Sequence, residues 1–255
     1  MANESVQKTV MVALALCVVC SLVVSTAAVS LKPAQEANKS LDRKRNILAA
    51  AGLLKEGTSI DEQFSQVTTK VVDLRTGKFT DDVDPARYDQ KKASKDPAMS
   101  KVLSEEDDVA KIGSREDYSL VYLVQHDGQL DKVILPVRGY GLWSTLYGFL
   151  ALESDVDTVA GLGFYEHGET PGLGGEVDNP RWKAQWHGKE VYKDGEAAIH
   201  LIKGTVNPDA PDAAHQVDGL AGASLTSKGV SNLMKFWLGK MGFQPFLNNL
   251  KAGEA

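Results

Sequence analysis

An uncharged stretch near the amino terminus places the strongest constraint on how this chain can fold. Thr9 to Leu31 contains 23 residues without a charged side chain, and Lys8 and Lys32 bound it. As a helix this stretch would reach about 34 Å, enough to cross a hydrocarbon core of about 30 Å. The sequence therefore predicts a short tail over residues 1–8, a single transmembrane helix over 9–31 and a large domain over 32–255.

A cleaved signal peptide is the competing interpretation of the same stretch. Ser25-Thr26-Ala27-Ala28 resembles a cleavage site. The apolar region of a signal peptide is usually only about 7–15 residues long, and its lead-in is more basic than Met1–Lys8. We therefore favour an anchor that the mature protein keeps.

The basic residues around the stretch bear on its orientation. One precedes it and five follow soon after: Lys8, then Lys32, Lys39, Arg43, Lys44 and Arg45. Taken literally, the positive-inside rule would place the large domain in the cytoplasm. That rule is weak for a long translocated domain behind a single amino-terminal span, so charge alone leaves the topology open.

Composition excludes several kinds of partner and cofactor. The net charge of −6 and the pI near 5.4 argue against nucleic acid as a partner. Both cysteines, Cys17 and Cys20, lie inside the apolar stretch, where we interpret them as packing residues rather than a redox or metal motif. The remaining chain cannot build a disulfide framework or an iron–sulfur cluster from its own side chains.

The pattern along residues 32–255 predicts an α+β domain with a mainly antiparallel sheet and flanking helices. Asp127-Gly128 and Asp155-Val156-Asp157 each separate two strand-like segments, which is typical of hairpins. Residues 81–114 are polar and predict an excursion on the surface. The predicted strands are Val67–Leu74, Leu120–Val124, Val133–Val137, Leu146–Leu152, Val159–Phe164 and Ala198–Ile202. The predicted helices are Gln35–Ala51, ended by Gly52, and one with Val230, Leu233, Met234, Trp237, Leu238 and Met241 on its apolar face, ended by Gly242.

The run Asp218–Ser227 is the most informative motif of the domain. It sets Ser224 between small neighbours, two or three residues before the expected start of a helix. Free N–H groups and the positive end of a helix dipole would favour a phosphate there. The alternative is an ordinary turn in which Thr226 or Ser227 is only an N-cap.

A second run, Glu169–Glu176, contains three glycines and a proline. Such a loop lets its backbone pass close to a flat ligand, although it lacks the G-x-G-x-x-G spacing of a dinucleotide fingerprint. A tight connecting loop is the alternative. His167 and Glu169 lack a third ligand at suitable spacing, so we expect no metal site.

Both runs resemble motifs of the FMN-binding family. Asp218–Ser227 resembles its flavinylation signature, in which a flavin transferase esterifies FMN to the last hydroxyl of a four-residue core. That core is Ala221–Ser224 here, so the hydroxyl is that of Ser224, and Ala221 stands where Ser or Thr is common. Glu169–Gly174 resembles the Glu-Thr-Pro-Gly-Leu-Gly motif, and Gly139–Trp143 resembles the Gly-x-Gly-Leu-Trp segment of one branch. That branch is the C subunit of the sodium-translocating NADH:quinone reductase, and the resemblance covers roughly residues 8–250.

The resemblance implies a set of cofactor-binding residues and no catalytic residue. Ser224 would carry the covalent FMN phosphoester. Trp143 and Leu173 would lie against the isoalloxazine ring, although Trp143 taken alone is equally typical of a core residue. Thr226 and Ser227 would supply hydroxyls near the phosphate. The remaining implied contacts are Thr170, Gly174, Gly175, Gly222, Ala223 and Leu225.

The implied function is electron transport within a multi-subunit membrane enzyme. The protein would pass electrons from an iron–sulfur centre, through FMN, to flavins of a neighbouring membrane subunit and finally to ubiquinone, coupled to sodium export. It would lie in the bacterial inner membrane with its domain in the periplasm. Two alternatives stay open: the flavoprotein subunit of an Rnf-type complex, and a membrane-anchored extracytoplasmic binding module without a cofactor. Residues 81–114 and the Gly-Leu-Trp segment favour the quinone-reductase branch.

Overall fold

The structure is a computed structural model that describes residues 5–255, so residues 1–4 of the predicted tail lie outside it. The chain divides into two compact units, one ending at Arg43 and the other formed by Lys44–Ala255. The helices are α1 (Val6–Ala50), α2 (Ile60–Phe64), α3 (Gln90–Ala93), α4 (Pro180–Ala184), α5 (Ser224–Trp237) and α6 (Gln244–Ala252). The strands are β1 (Val67–Asp73), β2 (Lys78–Phe79), β3 (Ser100–Val102), β4 (Ser114–Glu116), β5 (Tyr118–His126), β6 (Gln129–Tyr140), β7 (Thr145–Glu153), β8 (Val159–Glu166), β9 (Tyr192–Lys193), β10 (Glu196–Ala197), β11 (His200–Leu201) and β12 (Gln216–Val217).

Helix α1 is long and apolar enough to cross a membrane, and its apolar window has no residue buried within the protein. It runs unbroken for 45 residues, with Pro33 inside it. The sequence predicted a separate helix from Gln35, and that division is wrong. Pro33 removes a single N–H donor, and good helix formers on its carboxyl side continue the helix. The predicted stop is confirmed, because Gly52 takes a φ of +68°.

The Lys44–Ala255 unit is built on a six-stranded sheet in the order β2-β1-β5-β6-β7-β8. Every neighbouring pair in this sheet is antiparallel. Both predicted hairpins are confirmed as β5–β6 and β7–β8, and Asp127 and Gly128 have φ of 51° and 78°, as a tight primed turn requires. The α+β class with a mainly antiparallel sheet is therefore confirmed.

The two faces of the sheet bury different partners, because successive side chains along a strand point to opposite faces. In β6, Val133 and Leu135 belong to the cluster that contains Leu233 and Trp237 of α5. Ile134 belongs to the other cluster, which contains Ile47 and Leu48 from the end of α1.

Two glycines let α5 lie directly on the end of β6. A Cβ atom on Gly139 would stand 2.8 Å from Leu233 Cβ, and one on Gly229 would clash with the carbonyl oxygen of Tyr140. Neither approach leaves the space that a real Cβ needs, so no side chain fits at either position. This close packing fixes the first turns of α5 beside the turn that follows β6.

The carboxyl-terminal helices differ from the prediction. Helix α5 ends at Trp237, so Met241 lies beyond it, and the helix α6 was not predicted. The amide of Phe243 donates to the carbonyl oxygen of Trp237 at 2.6 Å and closes the turn between α5 and α6. Gly239 and Gly242 both lie in this turn, and a Cβ on Gly242 would clash with the Trp237 oxygen. Helix α5 therefore ends before the predicted stop at Gly242.

Candidate functional site

Three segments that are distant in sequence meet at the amino-terminal end of α5. The first is the Gly-Leu-Trp turn (Gly141–Ser144), which joins β6 to β7 and is closed by the Gly141 amide donating to the Ser144 carbonyl at 2.9 Å. The second is the glycine-rich loop (Glu169–Gly175), which follows β8. The third is the acceptor segment (Asp218–Ser227), which leads into α5. The two motif runs and the Gly-Leu-Trp turn thus lie at one end of the sheet.

Ser224 is the first residue of α5, and its side chain is exposed. The helix was expected to start two or three residues later; it starts at Ser224 because the break in the backbone falls at Ala223, whose φ and ψ are −128° and 51°. Ala223 supplies no side-chain cap, so the first N–H groups of α5 have no side-chain acceptor at the N-cap. Within the described residues, the Ser224 hydroxyl makes no hydrogen bond. The hydroxyl and the uncapped N–H groups are therefore open to a ligand.

Thr226 and Ser227 are buried in the first turn of α5, and the N-cap is Ala223, so the expectation that either of them is the N-cap is wrong. The Thr226 hydroxyl donates to Glu169 Oε2 at 2.7 Å. The Ser227 hydroxyl donates to the Ala223 carbonyl at 3.1 Å and accepts from the Leu220 amide at 2.9 Å. Both hydroxyls are thus committed to contacts within the protein.

The acceptor segment is held at its start by Asp218. Its carbonyl oxygen accepts from Trp182 Nε1 at 2.9 Å, and its Oδ1 accepts from the Val206 amide at 2.8 Å. Gly222, further along, takes a φ of +72°, which a glycine adopts without strain. The segment therefore presents Ser224 from a fixed backbone.

Glu169 is the buried polar centre of the site. Its Oε1 accepts from the amides of Leu142 and Trp143, each at 3.0 Å, and from Ser144 at 3.4 Å. Burial opposes ionisation of this carboxyl, but the hydrogen bonds from Thr226 and from these amides outweigh it and lower the pKa of Glu169 below its ordinary value. The sequence placed Glu169 in the motif but missed this role. A charged residue at the head of a glycine-rich loop was the available signal.

Each of the three site segments exposes one large apolar side chain. Trp143 is 66% exposed, Leu225 59% and Leu173 44%. The interpretation of Trp143 as a core residue is therefore wrong. Exposed apolar side chains on segments that meet are typical of a binding surface.

The glycine-rich loop is shaped by its own backbone. The Thr170 carbonyl oxygen accepts from the amides of Leu173 and Gly175 at 3.1 and 2.9 Å. Gly174 is buried, and a Cβ atom there would stand 2.6 Å from both Glu169 Oε2 and Thr226 Oγ1. These contacts turn Leu173 outward, toward the acceptor segment.

A cavity of about 640 Å³ opens beside Ser224 on the side of β11. Lys203 and Lys228 line it with His200 and Asp218, and both lysines are exposed. Lys228 lies four residues after Ser224 and so shares its face of α5. Neither lysine was predicted as a site residue, since isolated lysines are typical of any solvated surface.

The comparisons with known proteins agree with this geometry. A family model described as FMN-binding domain matches residues 141–239, a range that contains the Gly-Leu-Trp turn, the glycine-rich loop and the acceptor segment. The chain is 60% identical over 261 residues to the C subunit of the Na(+)-translocating NADH-quinone reductase of Pseudomonas aeruginosa, covering 100% of both chains. It is 48% identical to the same subunit of Vibrio anguillarum, covering 98% of this chain and 97% of that one.

Two solved structures share the fold. The crystal structure of Shewanella oneidensis NqrC has a TM-score of 0.77 and 38% identity, covering 84% of this chain and 99% of that one. The crystal structure of the corresponding reductase subunit from Parabacteroides distasonis has a TM-score of 0.65 and 27% identity, covering 85% and 96%. The resemblance drawn from the motifs is thus confirmed, and the chain belongs to the NqrC family, the C subunits of the Na(+)-translocating NADH-quinone reductase.

Proposed function

We propose that this chain is the flavoprotein subunit of a sodium-translocating NADH:quinone reductase and that it carries FMN as a phosphoester on Ser224. The observation that carries the proposal is the exposed Ser224 hydroxyl, which lies at the uncapped start of α5, where the three site segments meet, and next to the exposed Leu225. The full-length similarity to the NqrC family supports this branch over an Rnf-type subunit.

The start of α5 fits a phosphodiester. The helix has 14 residues, and its first turn begins with N–H groups that Ala223 does not cap. Such groups, with the helix dipole, favour the single negative charge that a phosphodiester keeps. Lys228 and Lys203 add positive charge on the cavity side of Ser224. Thr226 and Ser227 support this turn through their buried hydrogen bonds rather than through free hydroxyls.

The exposed apolar side chains fit a flat aromatic ring. Trp143 and Leu173 offer an indole and a branched aliphatic surface, and Leu225 adjoins Ser224 on the same helix. Aromatic faces pack well on such rings. Thr170, Gly174 and Gly175 hold the loop that presents Leu173, while Gly222 and Ala223 keep the backbone beside Ser224 small.

When bound, FMN supplies the electron-transfer chemistry, since it can take up two electrons and release them one at a time. The protein residues hold the phosphate, orient the ring and shield one of its faces from water. We place the protein between an iron–sulfur centre of another subunit and the flavins of a neighbouring membrane subunit, on a path from NADH to ubiquinone coupled to sodium export.

We further propose that residues 9–31 of α1 anchor the protein in the bacterial inner membrane, with 1–8 in the cytoplasm and 32–255 in the periplasm. The length and apolar composition of α1 support the anchor. A flavin transferase is the partner required during maturation, because Ser224 has no neighbouring base that could activate it: within the described residues its hydroxyl has no hydrogen-bond acceptor. The other subunits of the reductase are the lasting partners.

The proposal is tested at Ser224. Ser224→Ala removes the only atom that can form the ester, and because the hydroxyl is exposed and unbonded, the free energy of unfolding should change by less than about 0.5 kcal/mol. Intact mass and visible absorbance after denaturation should show that covalent FMN is lost. Ser224→Thr should keep it, since threonine supplies the same hydroxyl.

Thr226→Ala is the matched control, because it removes another hydroxyl of the same helical turn. It should keep the flavin and destabilise the fold by about 1 kcal/mol through the lost hydrogen bond to Glu169. Flavin that survives in Ser224→Ala but disappears from Thr226→Ala would identify Thr226 as the attachment residue. A wild-type protein without covalent flavin would refute the proposal and favour the binding module without a cofactor.

A further inference from the structure

Glu169 is the first residue of the glycine-rich loop, and its carboxylate accepts hydrogen bonds from both of the other site segments. Oε1 accepts from the Leu142 and Trp143 amides of the Gly-Leu-Trp turn at 3.0 Å. Oε2 accepts from the Thr226 hydroxyl of the acceptor segment at 2.7 Å. One side chain thus connects the residue that presents the indole to the helix turn that presents Ser224.

Two glycines leave room for this carboxylate. A Cβ atom on Gly141 would stand 2.5 Å from Oε1, and one on Gly174 would stand 2.6 Å from Oε2. Glu169 itself is only 5% exposed. A buried carboxylate with four donors and no room for other side chains at its oxygens holds its partners in one arrangement.

None of these contacts involves the surface that would touch the cofactor. Trp143 and Leu173 point their side chains to solvent, while the Trp143 amide and the Gly174 backbone face Glu169. The carboxylate therefore positions the exposed side chains by holding the backbone of the segments that carry them.

We propose that Glu169 is a positioning residue that fixes the distance and angle between the indole of Trp143 and the flavin carried by Ser224. The inference rests on the proposed function. In this role Glu169 would hold the site residues in place without touching the cofactor. Its hydrogen bond from Thr226 is the contact through which it would hold α5.

The test uses the fluorescence of the attached flavin in the full-length protein. An indole close to an excited flavin quenches it by electron transfer, so the emission yield reports how Trp143 lies against the ring. Trp143→Ala should raise the yield several-fold. Glu169→Ala should also raise the emission yield. The double variant that combines both changes should give no higher yield than Trp143→Ala alone, because both changes remove the same contact between the indole and the flavin.

Glu169→Gln serves as the conservative rescue. Its amide oxygen can still accept from the Leu142 and Trp143 amides, so its emission should stay near the wild-type yield. Glu176→Gln is the control variant, since Glu176 lies next to the glycine-rich loop but its side chain accepts from Asn179 Nδ2, at 2.7 Å, rather than from the site. It should leave the emission unchanged.

If Glu169→Ala does not fold, Thr226→Val replaces it, because it removes the link while keeping the side-chain shape. Folded Glu169→Ala or Thr226→Val protein with covalent flavin and wild-type emission would overturn the inference alone. Emission that rises further in the double variant would also overturn it. Wild-type protein without covalent flavin would overturn the proposed function and this inference with it.

Discussion

The side chain of Leu173 lies against Gly222, so that a Cβ atom on Gly222 would stand 3.0 Å from Leu173 Cδ2. The two residues belong to the glycine-rich loop and to the acceptor segment, which are far apart in the sequence. Their contact brings a half-exposed leucine to within two residues of Ser224. The absence of a side chain at Gly222 is what allows it.

Gly222→Ala should therefore disturb the site in two ways. Alanine at a φ of +72° costs about 1–2 kcal/mol, and its Cβ would also displace Leu173. Gly188→Ala is the control, because Gly188 has a φ of +75° and its added Cβ meets nothing within 4 Å. We expect similar losses in the free energy of unfolding by urea, with reduced flavin attachment in Gly222→Ala only. Equal attachment in the two variants would contradict the role of this contact.

Replacing an exposed tryptophan of the site should affect stability much less than replacing a buried tryptophan of the core. Trp143 is 66% exposed, so Trp143→Ala should change the free energy of unfolding by less than about 0.5 kcal/mol while shifting the visible absorbance of the bound flavin. Trp186 is 0% exposed and packs edge-on against Trp182, with 5.6 Å between the ring centroids. Trp186→Ala should cost about 3–5 kcal/mol. Chemical denaturation of both variants measures the difference, and a large loss in Trp143→Ala would show that its side chain is not free.

The lowered pKa of Glu169 predicts a specific dependence of stability on pH. A carboxyl whose pKa is lower in the folded state stabilises the protein above its unfolded pKa, near 4.5, and this contribution is lost as pH falls through the folded pKa. Wild-type protein should exceed Glu169→Gln in unfolding free energy by about 1–3 kcal/mol at neutral pH. The difference should shrink below about pH 4.5. Urea denaturation across this range checks it, and a constant difference would mean that Glu169 is protonated in the folded protein.

Removal of the anchor should leave a folded domain. A protein lacking residues 1–32 keeps Ile47 and Leu48, which are 1% and 0% exposed in the core against the sheet. It should be soluble and unfold cooperatively. Extending the deletion through Gly52 removes both side chains and should cost several kcal/mol, at about 2–5 kcal/mol for each. Amino-terminal sequencing of the full-length protein should begin near Met1; a start near Ala28 would indicate a cleaved signal peptide instead.

Much of the fold was predictable from the sequence because the determining interactions are local. Asp127-Gly128 specifies its turn by the φ angles that the two residues tolerate, and the predicted strand Val133–Val137 lies within β6. The apolar stretch of α1 and the two motif runs were likewise readable within short windows. The helix α6 was not, because a short helix gives a weak local signal. The continuity of α1 was not either, because a proline such as Pro33 favours a helix boundary, and the residues around it continue the helix nonetheless.

The arrangement of the site was decided by tertiary structure. The sequence identified Ser224, Trp143 and Leu173 as separate residues of separate motifs. Only the order of strands in the sheet and the close packing of α5 on β6 bring them to one end of the domain. The hydrogen bond between Thr226 and Glu169 illustrates the reason. It joins residues that are 57 positions apart, and the Glu169 carboxylate that accepts it is buried. The strength of a buried carboxylate's bonds depends on donors that arrive from other segments, so its role follows from the folded backbone rather than from any stretch of sequence around it.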